Sequence, residues 1–153
     1  DKRVIALKKE LGVLNNEVNF LENDQSKIFW KNTQELKVFN SSQNNIIRVV
    51  VPPSKTLNTI NNLKKFFTRY FIDWGGNLIW IEMEKINSEI LKEFDRVIEN
   101  NGGYQTMIKL DDGLKASVDV FKTDSIKYNL SEKLKISFDP KRILNPGKMY
   151  SGI

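Results

Sequence analysis

The sequence contains no cysteine and no histidine among its 153 residues. These absences exclude disulfide bonds, thiolate metal sites and cysteine nucleophiles, together with the commonest general base and the commonest metal ligand of proteins. Catalysis by this chain alone would need carboxylates, lysine, tyrosine or a bound cofactor. We therefore assign no catalytic residue and no metal ligand from the sequence.

Long apolar runs are also missing, because Arg48 interrupts the longest candidate for a membrane span, which needs about 20 residues. The first residues, DKRVIALKKEL, are charged and do not form a signal peptide. We expect a cytoplasmic protein, either free or peripherally attached to a membrane. The chain starts at Asp1 and not at Met, which we interpret as a piece of a longer protein.

The net charge is +5, which permits nucleic acid, an anionic membrane surface or an acidic partner. The lysines are scattered and form no run of five or six like charges, so a solvated basic surface is the simpler interpretation. RNA-recognition modules combine a basic sheet with a Gly-aromatic signature, but the strand NLIWIEM carries Glu82 and lacks that signature. We therefore predict no nucleic-acid partner.

The hydrophobic pattern predicts an α+β fold with a ferredoxin-like sheet. Residues 1–40 have helical spacing, and the polar stretch NSSQNN marks a boundary after them. From 46 to 110 the order is strand, helix, strand, strand, helix, strand, which is the split βαβ order. It predicts one antiparallel sheet with two helices on one face, plus additional N-terminal and C-terminal helices.

We divide the chain into a helical N-terminal segment (1–40), a ferredoxin-like domain (41–137) and a C-terminal tail (138–153). After the last predicted strand of the sheet, LKASVDVF is a candidate for one more strand. Ile126, Leu130 and Leu134 are spaced for a short last helix. The tail, FDPKRILNPGKMY, contains Asn-Pro-Gly, which is typical of a turn. We therefore predict an ordered tail and not a frayed end.

Arg48 is the main candidate for ligand binding from residue chemistry. Alternation along IIRVVV places it on the sheet face opposite to Ile47 and Val49. An arginine there is a planar donor fork suited to a carboxylate, although it can also extend into water or pair with an acid. Trp74 and Trp80 flank the Gly-Gly hairpin turn, where they can line a pocket or pack across strands. Asp73 beside this turn is more typical of a cap for turn amides than of a catalytic acid.

The tail resembles the C-terminal signature of the FAD-linked oxidases of the vanillyl-alcohol oxidase type. Three further stretches occur in the same order as in one member family, the FAD-binding E-type subunits of glycolate oxidase: RVVVPP, IDWGGNLIW and GGYQTMIK. The resemblance covers residues 29–152. The tail alone indicates the superfamily, and its combination with IDWGG indicates the narrower family.

The resemblance implies an oxidase of a small 2-hydroxy acid, glycolate, with FAD held mainly by an N-terminal domain that this chain lacks. This chain would be the cap or substrate-side domain and would be inactive alone. Arg48, Trp80 and Tyr104 would bind substrate, and Asn145 and Lys148 would lie near the cofactor when the tail docks on the FAD domain. Other glycolate oxidase subunits, including an iron–sulfur subunit, would be partners.

Two positions depart from the family pattern, since Ile79 is often arginine there and Tyr104 is often histidine. These departures leave open whether this subunit itself oxidises the substrate. The alternative is a non-catalytic binding or interaction module with a ferredoxin-like fold.

Overall fold

A computed structural model describes residues 2–12, 19–39, 43–115, 118–122, 125–148 and 150. The chain divides into two compact units, Asp1–Ser41 and Ser42–Ile153. The first unit contains helix α1 (Lys2–Gly12) and helix α2 (Asn23–Gln34), with one 3₁₀ turn after them.

The second unit is built on a four-stranded sheet. Its strands are β1 (Asn45–Val50), β2 (Arg69–Asp73), β3 (Leu78–Met83) and β4 (Tyr104–Lys109). They lie in the order β2-β3-β1-β4, and all neighbours are antiparallel. The predicted α+β class and the predicted order of strands and helices are confirmed.

Two helices pack on one face of this sheet and form the core with it. Helix α3 (Thr56–Leu63) follows the two prolines that end β1, and helix α4 (Ser88–Asn100) begins at the cap residue Asn87, whose Oδ1 accepts from the Ile90 N–H at 2.8 Å. The main buried side chains of the core come from alternate strand positions and from the inner helix faces: Ile47, Val49, Ile60, Leu63, Ile79, Ile81, Phe94, Ile98 and Met107. Alternation along β1 is therefore confirmed, with Arg48 on the other face.

The segment after β4 is where the strand prediction is wrong. LKASVDVF begins inside a short helix, α5 (Asp112–Lys115), because Asp111 Oδ1 accepts from the Gly113 N–H at 2.9 Å and starts a turn. Phe121 forms only an isolated antiparallel bridge with Thr106. Residues 116 and 117 of this stretch lie outside the described residues.

The predicted last helix is present as α6 (Ser125–Phe138). Its apolar row, spaced at every fourth residue, is exposed to solvent and not buried: Ile126, Leu130, Leu134 and Phe138. Among the described helices, none has the length and apolar character that crossing a bilayer requires. The cytoplasmic or membrane-peripheral location stays a prediction.

Candidate ligand-binding face

The second face of the sheet, opposite to α3 and α4, carries one row of side chains across all four strands. The register pairs Phe71 with Trp80, Trp80 with Arg48, and Arg48 with Thr106. Directly opposite residues of antiparallel strands project on the same side of a sheet. Arg48 and Trp80, both predicted site residues, are therefore direct cross-strand neighbours.

Arg48 is half-buried in the middle of this row, and its guanidinium carbon lies 5.1 Å from the centre of the Trp74 ring. Among the described residues, none forms a hydrogen bond or an ion pair with this guanidinium. A guanidinium carries five N–H donors and remains charged at all physiological pH values. Arg48 is thus a cation whose donors are free to bind an anion.

Trp74 lies in the turn between β2 and β3, which has three successive residues with positive φ: Trp74 at 54°, Gly75 at 62° and Gly76 at 98°. Asp73 Oδ1 accepts from the Trp74 N–H at 2.7 Å, so this carboxylate caps the turn, as its position beside Gly-Gly predicts. The turn is fixed to the end of β1, because Asn77 Nδ2 donates to the Val51 carbonyl at 2.7 Å.

Several aromatic side chains share this face with Arg48. The rings of Phe71 and Trp80 stack at 6.1 Å with an interplanar angle of 25°. Tyr104 pairs with Val50, two residues along β1 from Arg48, and is 55% exposed. The structure therefore brings Arg48, Trp80 and Tyr104 to one face. Residue 79, where the family often has arginine, is a fully buried isoleucine on the opposite face.

The other arginine on this face already has a partner. Arg69 Nη2 donates to Glu82 Oε1 at 3.0 Å, and Arg69 Nε donates to Glu82 Oε2, so the pair is bidentate. Hydrogen bonding to Glu82 raises the pKa of Arg69. Glu82 is 1% exposed, and Arg69 neutralises its charge. This ion pair is therefore structural, and Arg48 remains the candidate for ligand binding.

A polar cluster at the edge of α4 lies outside the predicted site. Lys122 Nζ lies 2.9 Å from Asp95 Oδ2 and 2.8 Å from Glu99 Oε1, and it links the segment after β4 to α4. Burial raises the pKa of Asp95 despite this cation. Gln105 donates to Asp95 through Nε2. Within the described ranges, no group of three or more acidic side chains is arranged to hold a metal ion.

The C-terminal tail folds back on α6 around Asp139. Lys135 Nζ lies 2.8 Å from Asp139 Oδ2, and the carboxylate accepts from the Ile143 N–H at 3.1 Å and from the Leu144 N–H at 2.9 Å. Hydrogen bonds from Lys135 and from these two amides lower the pKa of Asp139 to about 2. The tail is therefore ordered by an internal anchor.

Asn145 and Lys148, the predicted cofactor contacts, form the ends of the Asn-Pro-Gly-Lys turn. The Lys148 N–H donates to the Asn145 carbonyl at 3.2 Å, and Gly147 has φ 66°, as the turn chemistry predicts. Both side chains are exposed. No described contact joins either residue to Arg48, so the predicted site residues fall into two separate groups. A cavity of about 390 Å³ lies between the tail and α6, and Asn145, Phe138 and Tyr150 contribute to its lining.

Two residues of the Arg48 surroundings, Phe71 and Thr106, are not among the candidates from the sequence, whereas Trp74 is a sequence candidate for lining a pocket. Phe71 and Thr106 belong to the row of Arg48, and Trp74 contacts the Arg48 guanidinium. The composition of this row depends on the strand register. For β2 and β3, the sequence signal for the register is the pair of glycines in the hairpin turn. The Asp-Pro pair of the tail predicts extended backbone at Asp139 and gives no signal of its anchoring role.

Comparison with known proteins addresses the family. Residues 121–149 match the C-terminal domain family of FAD-linked oxidases. This part of the chain is similar to the FAD-linked oxidases. It is also 26% identical over 124 residues to the glycolate oxidase subunit GlcE of Escherichia coli (strain K12). The resemblance that the tail and the IDWGG stretch predict is confirmed, and the FAD-linked oxidase family implies FAD as the cofactor.

The alignment with GlcE includes 80% of this chain and 31% of GlcE. The chain therefore spans about a third of the length of the curated protein that it matches. No solved structure matches the chain.

Proposed function

We propose that this chain is the C-terminal cap domain of an FAD-dependent oxidase subunit that acts on a small 2-hydroxy acid, with glycolate as the substrate. The cap shapes the substrate side of the flavin site. The observation that carries the proposal is the guanidinium of Arg48, which contacts the Trp74 ring and has no hydrogen-bond partner among the described residues, on a sheet face with stacked aromatic rings. The similarity to a glycolate oxidase subunit supports the choice of substrate.

Arg48 binds the carboxylate of the 2-hydroxy acid in this proposal. Two parallel N–H groups of a guanidinium match the two oxygens of a carboxylate, and such bidentate pairs are among the strongest hydrogen bonds in proteins. Tyr104 presents a hydroxyl that can donate to or accept from the substrate. Trp80 provides an apolar wall beside the guanidinium, which excludes water and strengthens the charge interaction.

The described residues fit part of FAD and not the whole molecule. Exposed Lys148, in its turn with Asn145, is suited to an anionic edge of the cofactor, and the aromatic face is suited to a flat ring system. The glycine pairs of the sequence, however, lack the spacing of a phosphate-binding loop. In this proposal, an N-terminal domain outside this chain holds most of FAD. When bound, FAD takes up the two electrons and two protons that glycolate loses on becoming glyoxylate.

The exposed apolar row of α6 supports docking of the tail on that FAD domain. Ile126 is 79% exposed and Phe138 is 83% exposed, and the tail that follows places Ile143 and Leu144 in solvent as well. A contiguous apolar surface of this kind marks a site for another protein surface. Further glycolate oxidase subunits, including an iron–sulfur subunit, complete the assembly that we propose.

The test uses the longer natural protein that carries this chain, purified with its flavin. The oxidised flavin absorbs at about 450 nm, and anaerobic glycolate should bleach this band. Arg48→Met should weaken the apparent affinity for glycolate by a factor of about 10 to 150, the range of a charge-assisted hydrogen bond, and leave the flavin content unchanged. Arg96→Met is the matched control, because Arg96 is an exposed arginine of α4.

A natural protein that purifies without flavin and cannot be reconstituted with it would contradict the proposal. An Arg48→Met variant that binds glycolate as the wild type does would remove Arg48 from the site.

The second candidate is a non-catalytic binding module of the same fold. It is favoured by the lack of any histidine in the sequence, because the commonest general base is then missing. In the same experiment, the second candidate predicts that the protein binds both flavin and glycolate, and that glycolate does not bleach the flavin.

A further inference from the structure

We propose that Trp74 is a positioning residue that holds the guanidinium of Arg48 in place for a carboxylate ligand. The carboxylate class of the ligand rests on the proposed function, whereas the positioning of Arg48 by Trp74 does not.

The contact between these side chains is the first argument. The guanidinium carbon of Arg48 is 5.1 Å from the centre of the Trp74 ring, which is within the range of a cation–π contact, and tryptophan is the best partner for it. No described residue forms a hydrogen bond or an ion pair with the side chain of Arg48. An arginine without such a partner explores many rotamers, so the indole is the group that limits its position.

The backbone of Trp74 gives the second argument. Its φ of 54° lies in the left-handed region, which a residue with a bulky side chain rarely adopts and which glycine adopts freely. The turn by itself is thus better served by a glycine at position 74. The contact of the indole with Arg48 gives a physical reason for a tryptophan at this strained position.

The anchoring of the turn gives the third argument. The Val51 N–H donates to the Asn77 carbonyl at 3.0 Å, and Thr56 Oγ1 donates to the Gly76 carbonyl. Val51 is three residues beyond Arg48. These hydrogen bonds therefore hold the turn that carries the indole at a fixed position relative to the strand that carries the guanidinium. A ring on one side of a planar guanidinium leaves its N–H edge free for a bidentate carboxylate.

The first experiment measures the order of Arg48 without any ligand. In the 153-residue chain, the ¹⁵N{¹H} NOE of Arg48 Nε should fall in Trp74→Leu and stay near the wild-type value in Trp74→Phe, which keeps an aromatic ring. Trp30→Leu is the matched control, because Trp30 is an exposed tryptophan of the first unit. Trp74→Gly is a second ring-free variant that suits the left-handed backbone, so it keeps the turn if Trp74→Leu does not fold. An unchanged NOE in both ring-free variants overturns the proposal.

The second experiment adds the ligand. Sodium glycolate, titrated at constant ionic strength against sodium chloride, should shift the Arg48 Nε resonance to saturation, and chloride should not. The ring-free variants should bind glycolate about two- to fivefold more weakly, which is the size of an exposed cation–π contact. Equal affinity in the wild type and in the ring-free variants overturns the positioning role. A wild type that responds equally to chloride overturns the carboxylate assignment and the proposed function with it, while the NOE still decides the role of Trp74.

Discussion

Gly103 is the position where a single methyl group should disturb the sheet most. It connects α4 to β4, and a Cβ there would lie 2.5 Å from the Val50 carbonyl oxygen and 2.5 Å from Val51 Cγ1. Ile98 Cγ2 would lie at 3.1 Å. Real Cβ atoms do not approach backbone oxygens so closely, so in Gly103→Ala the start of β4 must move away from β1.

The expected cost follows from two terms. Overpacking by one methyl group costs about 1–3 kcal/mol, and the upper end applies because one of the atoms in conflict is backbone. The Gly103 N–H also donates to the Ile98 carbonyl at 3.0 Å, and weakening this bond adds about 1 kcal/mol. We expect a loss of about 3–4 kcal/mol in the free energy of unfolding.

Urea unfolding followed by circular dichroism measures this loss. Gly102→Ala is the matched control, because a Cβ there has no atom within 4 Å and meets only the penalty of φ 71°. That left-handed penalty is about 1–2 kcal/mol. If Gly103→Ala is no less stable than Gly102→Ala, the close approach of β1 and β4 at this point is not as described, and the reasoning fails.

Three further outcomes follow from the structure. Asn87→Ala should lower the free energy of unfolding by about 0.5–2 kcal/mol, because the Ile90 N–H loses the side chain that caps it. Thermal unfolding of this variant, compared with that of Ser88→Ala at an exposed neighbouring position, tests this. Phe94→Ala, at a side chain with 0% exposure, should cost about 3–5 kcal/mol in chemical denaturation, and a cost below that of Asn87→Ala would contradict its place in the core. The pKa of Asp139 lies below its unfolded value, so its anchor is complete above about pH 4 and is lost as the pH falls through about 2. The NMR shift of the Leu144 amide should therefore titrate with a midpoint at about pH 2, and a midpoint near pH 4 would contradict the anchor.

The sheet and its two helices could be predicted because local signals agree with the fold. IIRVVV is β-branched with period two, Pro52 and Pro53 end it, and the glycine pairs stop elements where the chain turns. The face of Arg48 also followed from alternation alone. Its contact with Trp74 could not be predicted, because it depends on strand register and on a left-handed residue that is not glycine.

Two further features lay beyond sequence pattern. LKASVDVF has the composition of a strand, but one Asp111 side chain starts a helical turn at its beginning. The stripe of Ile126 and Leu130 predicts a helix equally well whether it faces a core or solvent, and only the structure shows it exposed. Periodicity gives the type of an element and not the surface that covers it.

The Asp139 anchor changes the thermodynamics of any association through the tail. Segments that order only on binding lose affinity, since each immobilised side chain costs about 0.5–1.5 kcal/mol. Here Leu144 and its neighbours are already held by Lys135 and Asp139 before any contact is made. The tail is preorganised, so any partner that binds it should associate fast and without coupled folding of the tail. Acidification towards pH 2 should remove the anchor, and the tail would then have to fold on binding.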